Sequence, residues 1–242
     1  MRLLKWYGDC VTKDGQASVV YWAELEWHDL HIRYASRLET RFGERSTLRA
    51  GPPPSEDASG YRWQEPLIGL DACWKPTAPP YKATLFEGIR WCCVAPAAEA
   101  RIGSRTGLGY LEYIEMTVPP WSIPIQTLLW GRFLSKDESL VWIDWRGEHQ
   151  FQLVLDHGRP VGAKEIERDR LTLASGETLA CFPGITLREG TLGPKVLSVI
   201  PGLPRRILNV HEHKWLSQAV LLRGEGQHYS TGWAIHEVVT WP

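Results

Sequence analysis

The chain has 242 residues, a formal net charge of -1 and 13 tryptophans. That length holds one large all-β domain or two small ones with a substantial core. The near-neutral charge gives no general attraction to nucleic acid or to an anionic membrane, and no apolar run is long enough for a membrane-spanning helix. Five cysteines without metal-type spacing, and an N-terminal MRLLKWYGDC lacking the apolar run of a secretory signal, lead to the expectation of a reduced, cytoplasmic protein.

From the N-terminus, a strand from Leu3 is followed by the turn Thr12-Lys13-Asp14-Gly15, a strand over Ala17 to Trp27, the turn His28-Asp29 and a strand over Leu30 to Leu38. Asp-Gly between β-rich runs is a hairpin signal. Residues 51–60, GPPPSEDASG, read as a mobile loop, since three prolines remove backbone donors. Tyr61 to Ile68 and Tyr81 to Val94 are further strands. In the latter, Leu85, Glu87, Ile89 and Trp91 alternate onto one face. Alanine-rich 95–107 lacks a sustained apolar stripe, so it is expected to be the boundary between an N-terminal half over 1–100 and a C-terminal half over 107–242.

Residues 107 to 146 contain three apolar segments, separated by Pro119-Pro120 and by the turn SKDES, each carrying aromatics and the first and third a carboxylate. Tyr110, Glu112 and Ile114 share one strand face, and Leu140, Trp142 and Asp144 another. Later hairpin signals stand at Asp156-His157-Gly158 and Ala174 to Glu177. The charged run AKEIERDR reads as a solvated strand or turn, and Gly184 to Gly202 as loop or irregular edge. Residues 205–222 then lead into WAIHEVVTW, where Trp233, Ile235, Glu237, Val239 and Trp241 share a face. GYLEYIEM and GWAIHEVV form a weak internal echo that implies two related β-halves. No long amphipathic helix is visible, so the class is all-β.

Lys5-Trp6-Tyr7 with the Asp14-Gly15 hairpin, Gly109-Tyr110-Leu111-Glu112 with Pro120-Trp121, Trp130, the Leu140 to Asp144 strand, and Gly232-Trp233 with Glu237 together resemble a known superfamily. It is the hydroxyneurosporene synthase (carotenoid 1,2-hydratase) and AttH group, related to tocopherol cyclase. The resemblance implies two lipocalin-like antiparallel β-barrel halves. It also implies acid-initiated hydration, isomerisation or cyclisation of an isoprenoid or other apolar small molecule.

The residues are compatible with that chemistry. Protonating an alkene requires an acid held out of water and aromatic faces that stabilise the developing cation. Asp144, Glu112, Glu237 and Glu87 are the candidate acids, with Tyr110, Trp130, Trp142, Trp233 and Trp91 as candidate substrate-binding aromatics. Asp144 leads because WIDWRG sets two tryptophans around it; the competing reading is a pair with Arg146 on the same strand face. For Glu112 the competing partner is Arg132 or a backbone N–H. His211-x-His213, closed by His228 or His236, is a two-residue His spacing common by accident, and no metal is expected. No cofactor motif, phosphate loop or GxSxG elbow occurs, so the expected partner is an apolar small molecule and not nucleic acid. Two other readings use the same composition: a non-catalytic carrier or sensor for a lipophilic ligand, and a structural β-module whose tryptophans are all core.

Overall fold

The structure, a computed structural model, describes residues 1–40, 43–191, 208–224 and 228–242. Among the described residues, twenty strands run in chain order. The first ten are β1 (Arg2–Val11), β2 (Ala17–Trp27), β3 (Leu30–Glu39), β4 (Gly43–Thr47), β5 (Ser55–Asp57), β6 (Gly60–Glu65), β7 (Leu70–Pro76), β8 (Tyr81–Phe86), β9 (Ile89–Ile102) and β10 (Arg105–Met116). The second ten are β11 (Thr127–Leu134), β12 (Ser139–Arg146), β13 (Phe151–Asp156), β14 (Arg159–Val161), β15 (Ala163–Ile166), β16 (Arg170–Leu173), β17 (Thr178–Cys181), β18 (Ile185–Thr191), β19 (His211–Arg223) and β20 (His228–Thr240). Each ten forms one antiparallel sheet. The first has the order β4-β3-β2-β1-β10-β9-β7-β6-β5 with β8 on β9, and the second has β14-β13-β12-β11-β20-β19-β17-β16-β15 with β18 on β19. The two orders are the same permutation, so the echo between GYLEYIEM and GWAIHEVV falls on β10 and β20, the last strand of each half. The fold is all-β and lipocalin-like, with one sheet curled into a half-barrel and the other into a nearly closed barrel.

The hairpins form where the sequence supplies the required backbone. Gly15 takes a positive φ of 79° in the β1–β2 turn, and the Gly15 N–H donates to the Thr12 carbonyl at 3.0 Å. Three expectations need correction. The strand expected over Tyr81 to Val94 is a hairpin, because Gly88 at φ 76° turns the chain between β8 and β9. The loop expected over 51–60 contains the short edge strand β5, whose N–H groups find partners in β6 despite the preceding prolines. Finally, 95–107 is not a linker. It forms the end of β9, a turn and the start of β10, and the compact units divide at Pro119/Pro120, with residues 157–159 joining the first. Alanines weakened the apolar stripe there because the facing side chains are large: Ala98, Ala100 and Trp74 share one core cluster.

Each unit has its own interior. In the first, Val20, Trp22, Trp63, Ala72, Trp74, Ala95, Ala100 and Leu111 belong to one buried cluster; in the second, Leu129, Phe133, Leu140, Trp142, Val154, Leu171, Leu221 and Ala234 do. Fully burying one large apolar side chain stabilises by about 1.5–3 kcal/mol, so these clusters dominate the energetics of each half. Strand alternation then fixes which face each candidate acid occupies. Asp144 shares the inner face with Leu140 and Trp142. Glu112 and Glu237 lie on the faces opposite Leu111 and Ala234, outside the two interior clusters.

Candidate functional site

β9 and β10 are paired with register shifts around Leu111, where Gly109 faces Ala98, Leu111 faces Ala95 and Glu112 faces Cys93. Pro96, which cannot donate to the ladder, lies in the extra length of β9 that makes this bulge. Bulges re-aim side chains, and this one sits beside Tyr110. Tyr110 is fully buried, and its hydroxyl donates to Glu112 Oε2 at 2.5 Å. The same oxygen accepts from Trp91 Nε1 at 2.5 Å. Glu112 therefore has two aromatic donors converging on one carboxylate oxygen, and hydrogen bonds of this charge-assisted kind are short and strong.

The groups around Glu112 keep their protons. Burial, reinforced by neighbouring Cys93 and Glu112, pushes the Tyr110 hydroxyl well above the usual tyrosine range. Burial likewise pushes the Cys93 thiol well above its ordinary value. On the same face of β1, Tyr7 donates to Asp9 Oδ2 at 3.0 Å, and the Tyr7 ring meets Tyr21 at 5.3 Å and Tyr110 at 6.0 Å between centroids. Lys5 Nζ stands 5.3 Å from the Tyr21 centroid. The sequence reading singled out Tyr110, Glu112 and Trp91, and the structure brings these three together. It did not place Tyr7, Asp9, Tyr21 or Cys93 among the site residues. Tyr7 and Asp9 carried a readable signal, an aromatic and an acid two residues apart on one strand face; Cys93 carried none, because only register places it opposite Glu112.

The other candidates lie elsewhere. Asp144 is buried, and Arg146 Nε donates to its Oδ2 at 2.7 Å while Arg146 Nη2 donates to the Ile166 carbonyl. Both residues line a cleft of about 730 Å³ with Trp145, Gln152, Lys164 and Glu167. Trp142 packs against Gly131 of β11, where an added Cβ would come within 2.2 Å of its Cζ2. Glu237 accepts from Lys214 Nζ at 2.5 Å; that ammonium is 3.7 Å from Glu212 and 5.0 Å from the Trp130 centroid. Trp233 is half-buried, and its carbonyl accepts from Arg132 Nη1 at 2.8 Å. Glu87, expected on a strand among apolar neighbours, is exposed in the β8–β9 turn.

The histidines are separated by the β19–β20 register. His211 faces Thr240, whereas His228 faces Arg223 at the other end of the ladder, about 40 Å along the strand. His236 is buried, with Nε2 2.9 Å from Ser217 Oγ and Nδ1 2.9 Å from the Arg168 carbonyl. Both ring nitrogens are thereby occupied. Trp215 is stacked between His213 and His236, at 3.8 and 5.3 Å between centroids.

With this geometry in place, comparison with solved structures is informative. The chain superposes on CghA with a TM-score of 0.66 at 9% identity, covering 99% of this chain and 88% of that one. The likeness is one of fold. Kievitone hydratase from Nectria haematococca gives 0.56 at 9% identity over 98% and 88% of the two chains. A putative AttH from Nitrosomonas europaea gives 0.54 at 9% identity over 97% and 91%. CghA also has a structure with Sch210972, to which this chain superposes with a TM-score of 0.61 at 10% identity, covering 99% and 88%. No family model and no curated protein matches the sequence. Among the described residues no helix is long and apolar enough to cross a membrane.

Proposed function

We propose that this protein is a small-molecule-modifying enzyme that transfers a proton to an apolar, isoprenoid-like substrate through Glu112. The observation that carries the reading is the convergence of Trp91 Nε1 and Tyr110 Oη on one oxygen of Glu112, on a sheet face lined by Tyr7 and Tyr21. The protonated carboxyl gives its proton to a substrate C=C bond, whose electron pair forms the new C–H bond and leaves a carbocation on the neighbouring carbon. The negative charge left on Glu112 is held by the two donors. The cation is met by the faces of Tyr7, Tyr21 and Tyr110, whose ring quadrupoles attract positive charge. A proton returning to Glu112 from an adjacent carbon completes an isomerisation or cyclisation, and one returning from an added water completes a hydration. No cofactor enters these steps. The fold is shared with a protein named as a hydratase and with CghA, whose structure with Sch210972 is in keeping with a small-molecule substrate.

Glu112→Gln keeps the shape and both aromatic contacts but removes the acid. Steady-state assays on polyenes and prenylated phenols should show turnover falling at least a hundredfold, with ligand affinity within about threefold of wild type. Undiminished turnover in Glu112→Gln overturns the assignment, and Asp144→Asn made in parallel shows whether the other buried acid carries the chemistry instead. Lipophilic ligands that quench tryptophan fluorescence with no turnover of any substrate would establish the carrier reading.

A further inference from the structure

The four indoles of the first unit's interior differ in one respect. Trp22 and Trp74, both wholly buried, have satisfied N–H groups: Trp22 Nε1 donates to the Gly51 carbonyl at 2.9 Å and Trp74 Nε1 to the Asp9 carbonyl at 2.8 Å. Trp6 and Trp63 also have buried Nε1 atoms, yet neither meets an acceptor among the described residues. A buried N–H without an acceptor costs about as much as a lost hydrogen bond, and native interiors satisfy nearly all such groups. Trp63 is 97% buried, since its exposure is 3%. The unmet donors are therefore a feature of the interior and not of a loose surface ring.

The two indoles share a setting. Trp6 packs against Tyr113 at 4.7 Å and Tyr61 at 6.4 Å between centroids, and Trp6, Tyr61 and Tyr113 are partly buried against the cluster that contains Trp63 and Cys92. Trp6 is the cross-strand partner of Tyr113, and Tyr113 in turn faces Cys92. Burial, with Glu56 nearby, pushes the Tyr61 hydroxyl up to about 12, so it too remains a donor at neutral pH. This is the face of β1 and β10 opposite the one that carries Tyr7 and Glu112. Flat aromatic walls with a few buried donors select a largely apolar molecule that presents an acceptor oxygen.

We infer that the interior of the first half-barrel, at Trp6, Trp63, Tyr61 and Tyr113, is a second binding site, for a largely apolar aromatic molecule bearing a carbonyl or ether oxygen that accepts from the Trp6 and Trp63 indoles. This site is independent of the Glu112 reading, because it lies on the other face of the sheet and transfers no proton.

Benzophenone and diphenylmethane test it, since they differ only by the carbonyl that would accept the hydrogen bonds. Titration by calorimetry of the full chain should give benzophenone at least tenfold tighter binding than diphenylmethane. Trp63→Phe should abolish most of that difference, and Glu112→Gln should preserve it. Irradiating bound benzophenone inserts its carbonyl carbon into a nearby C–H bond, and peptide mapping should place the adduct on β1, β6 or β10. Equal affinity for the two probes, adducts confined to the second unit, or a wild-type difference retained in both Trp63→Phe and Trp6→Phe would each overturn the site.

Discussion

The last strands of the two halves, β10 and β20, occupy equivalent places in identically ordered sheets, and each carries a carboxylate on the face away from its interior cluster. Glu112 on β10 accepts from two uncharged aromatic donors, Trp91 and Tyr110, whereas Glu237 on β20 accepts from the ammonium of Lys214. Equivalent strands thus hold their carboxylates in two chemical settings. An ammonium at 2.5 Å holds its carboxylate ionised and converts it into structure. Glu112 is instead met by two uncharged donors, Trp91 Nε1 and Tyr110 Oη, on one oxygen, and the proposed proton transfer rests on that contrast. The duplicated scaffold fixes where an acid stands, and its immediate partners decide what that acid can do.

The largest expected effect breaks this comparison directly. On the proposed reading, Glu112→Gln lowers turnover by about 10²–10⁴, the usual size of a general acid's contribution, while Glu237→Gln changes it by less than threefold. Steady-state kinetics on one substrate with both variants decides the matter, and equal losses would mean that the partner chemistry does not distinguish the two halves. Stability should show the opposite ranking. Lys214 is almost wholly buried and pairs with Glu237 and, more distantly, Glu212, so Lys214→Met takes the ammonium from the half-buried Glu237 carboxylate and should cost about 3 kcal/mol. Trp91→Phe removes one neutral donor and should cost about 1 kcal/mol. Urea denaturation of the two variants measures the difference.

How much of this was legible before the structure depends on the range of each interaction. The bounds of β2 and β3, the Asp14-Gly15 turn and the shared face of Tyr110 and Glu112 follow from alternation and turn chemistry within a few residues. So does the alternative of Asp144 pairing with Arg146, two residues apart on one strand. The Trp91–Glu112 bond spans 21 residues and the Lys214–Glu237 pair joins strands 19 and 20, so both depend on ladder register, which alternation leaves open. Glu87 was misplaced because Gly88 reverses the chain just where the apolar alternation continues unbroken. The unit boundary was misplaced because alanines facing Trp74 resemble the small residues of a linker.

The histidine of β20 gives the next effect in size. Burial lowers His236 to about 4 from 6.5, opposed by the Arg168 carbonyl and Asp169 and assisted by the charges of Arg168 and His213. Between pH 6.5 and 4 the unfolded chain binds a proton that the folded chain does not, so stability is full above pH 6.5 and falls as the pH drops to about 4. The loss amounts to about 3 kcal/mol at its limit. His236→Gln retains hydrogen-bonding capacity toward Ser217 and should flatten that part of the profile in urea titrations at successive pH values. Tyr113, which stands in the last strand of the first half with its hydroxyl beside Cys92, is raised above its ordinary range and does not titrate in this window. Acid sensitivity from this source should therefore arise in the second half alone.

The smallest effect concerns the first strands, β1 and β11, and how each seats a tryptophan. Gly8 on β1 lies beneath Trp74, where an added Cβ would come within 2.8 Å of Cζ2 and 2.9 Å of Leu111 Cδ1. Gly131 on β11 lies beneath Trp142, where the same atom would come within 2.2 Å of Cζ2 and 2.5 Å of Cε2. Neither glycine is at a positive φ, so the requirement is space for an indole and not backbone freedom. Ala at either site pushes a buried ring off its seat, an overpacking penalty of about 1–3 kcal/mol. Gly131→Ala should stand near the top of that range because its overlap is deeper and strikes two fused ring atoms. Gly8→Ala should stand near the bottom, because the Leu111 side chain can rotate away. Equal melting temperatures for the two variants would show that Trp142 has room to tilt. In that event the interior of the second half, unlike that of the first, would yield to an added atom.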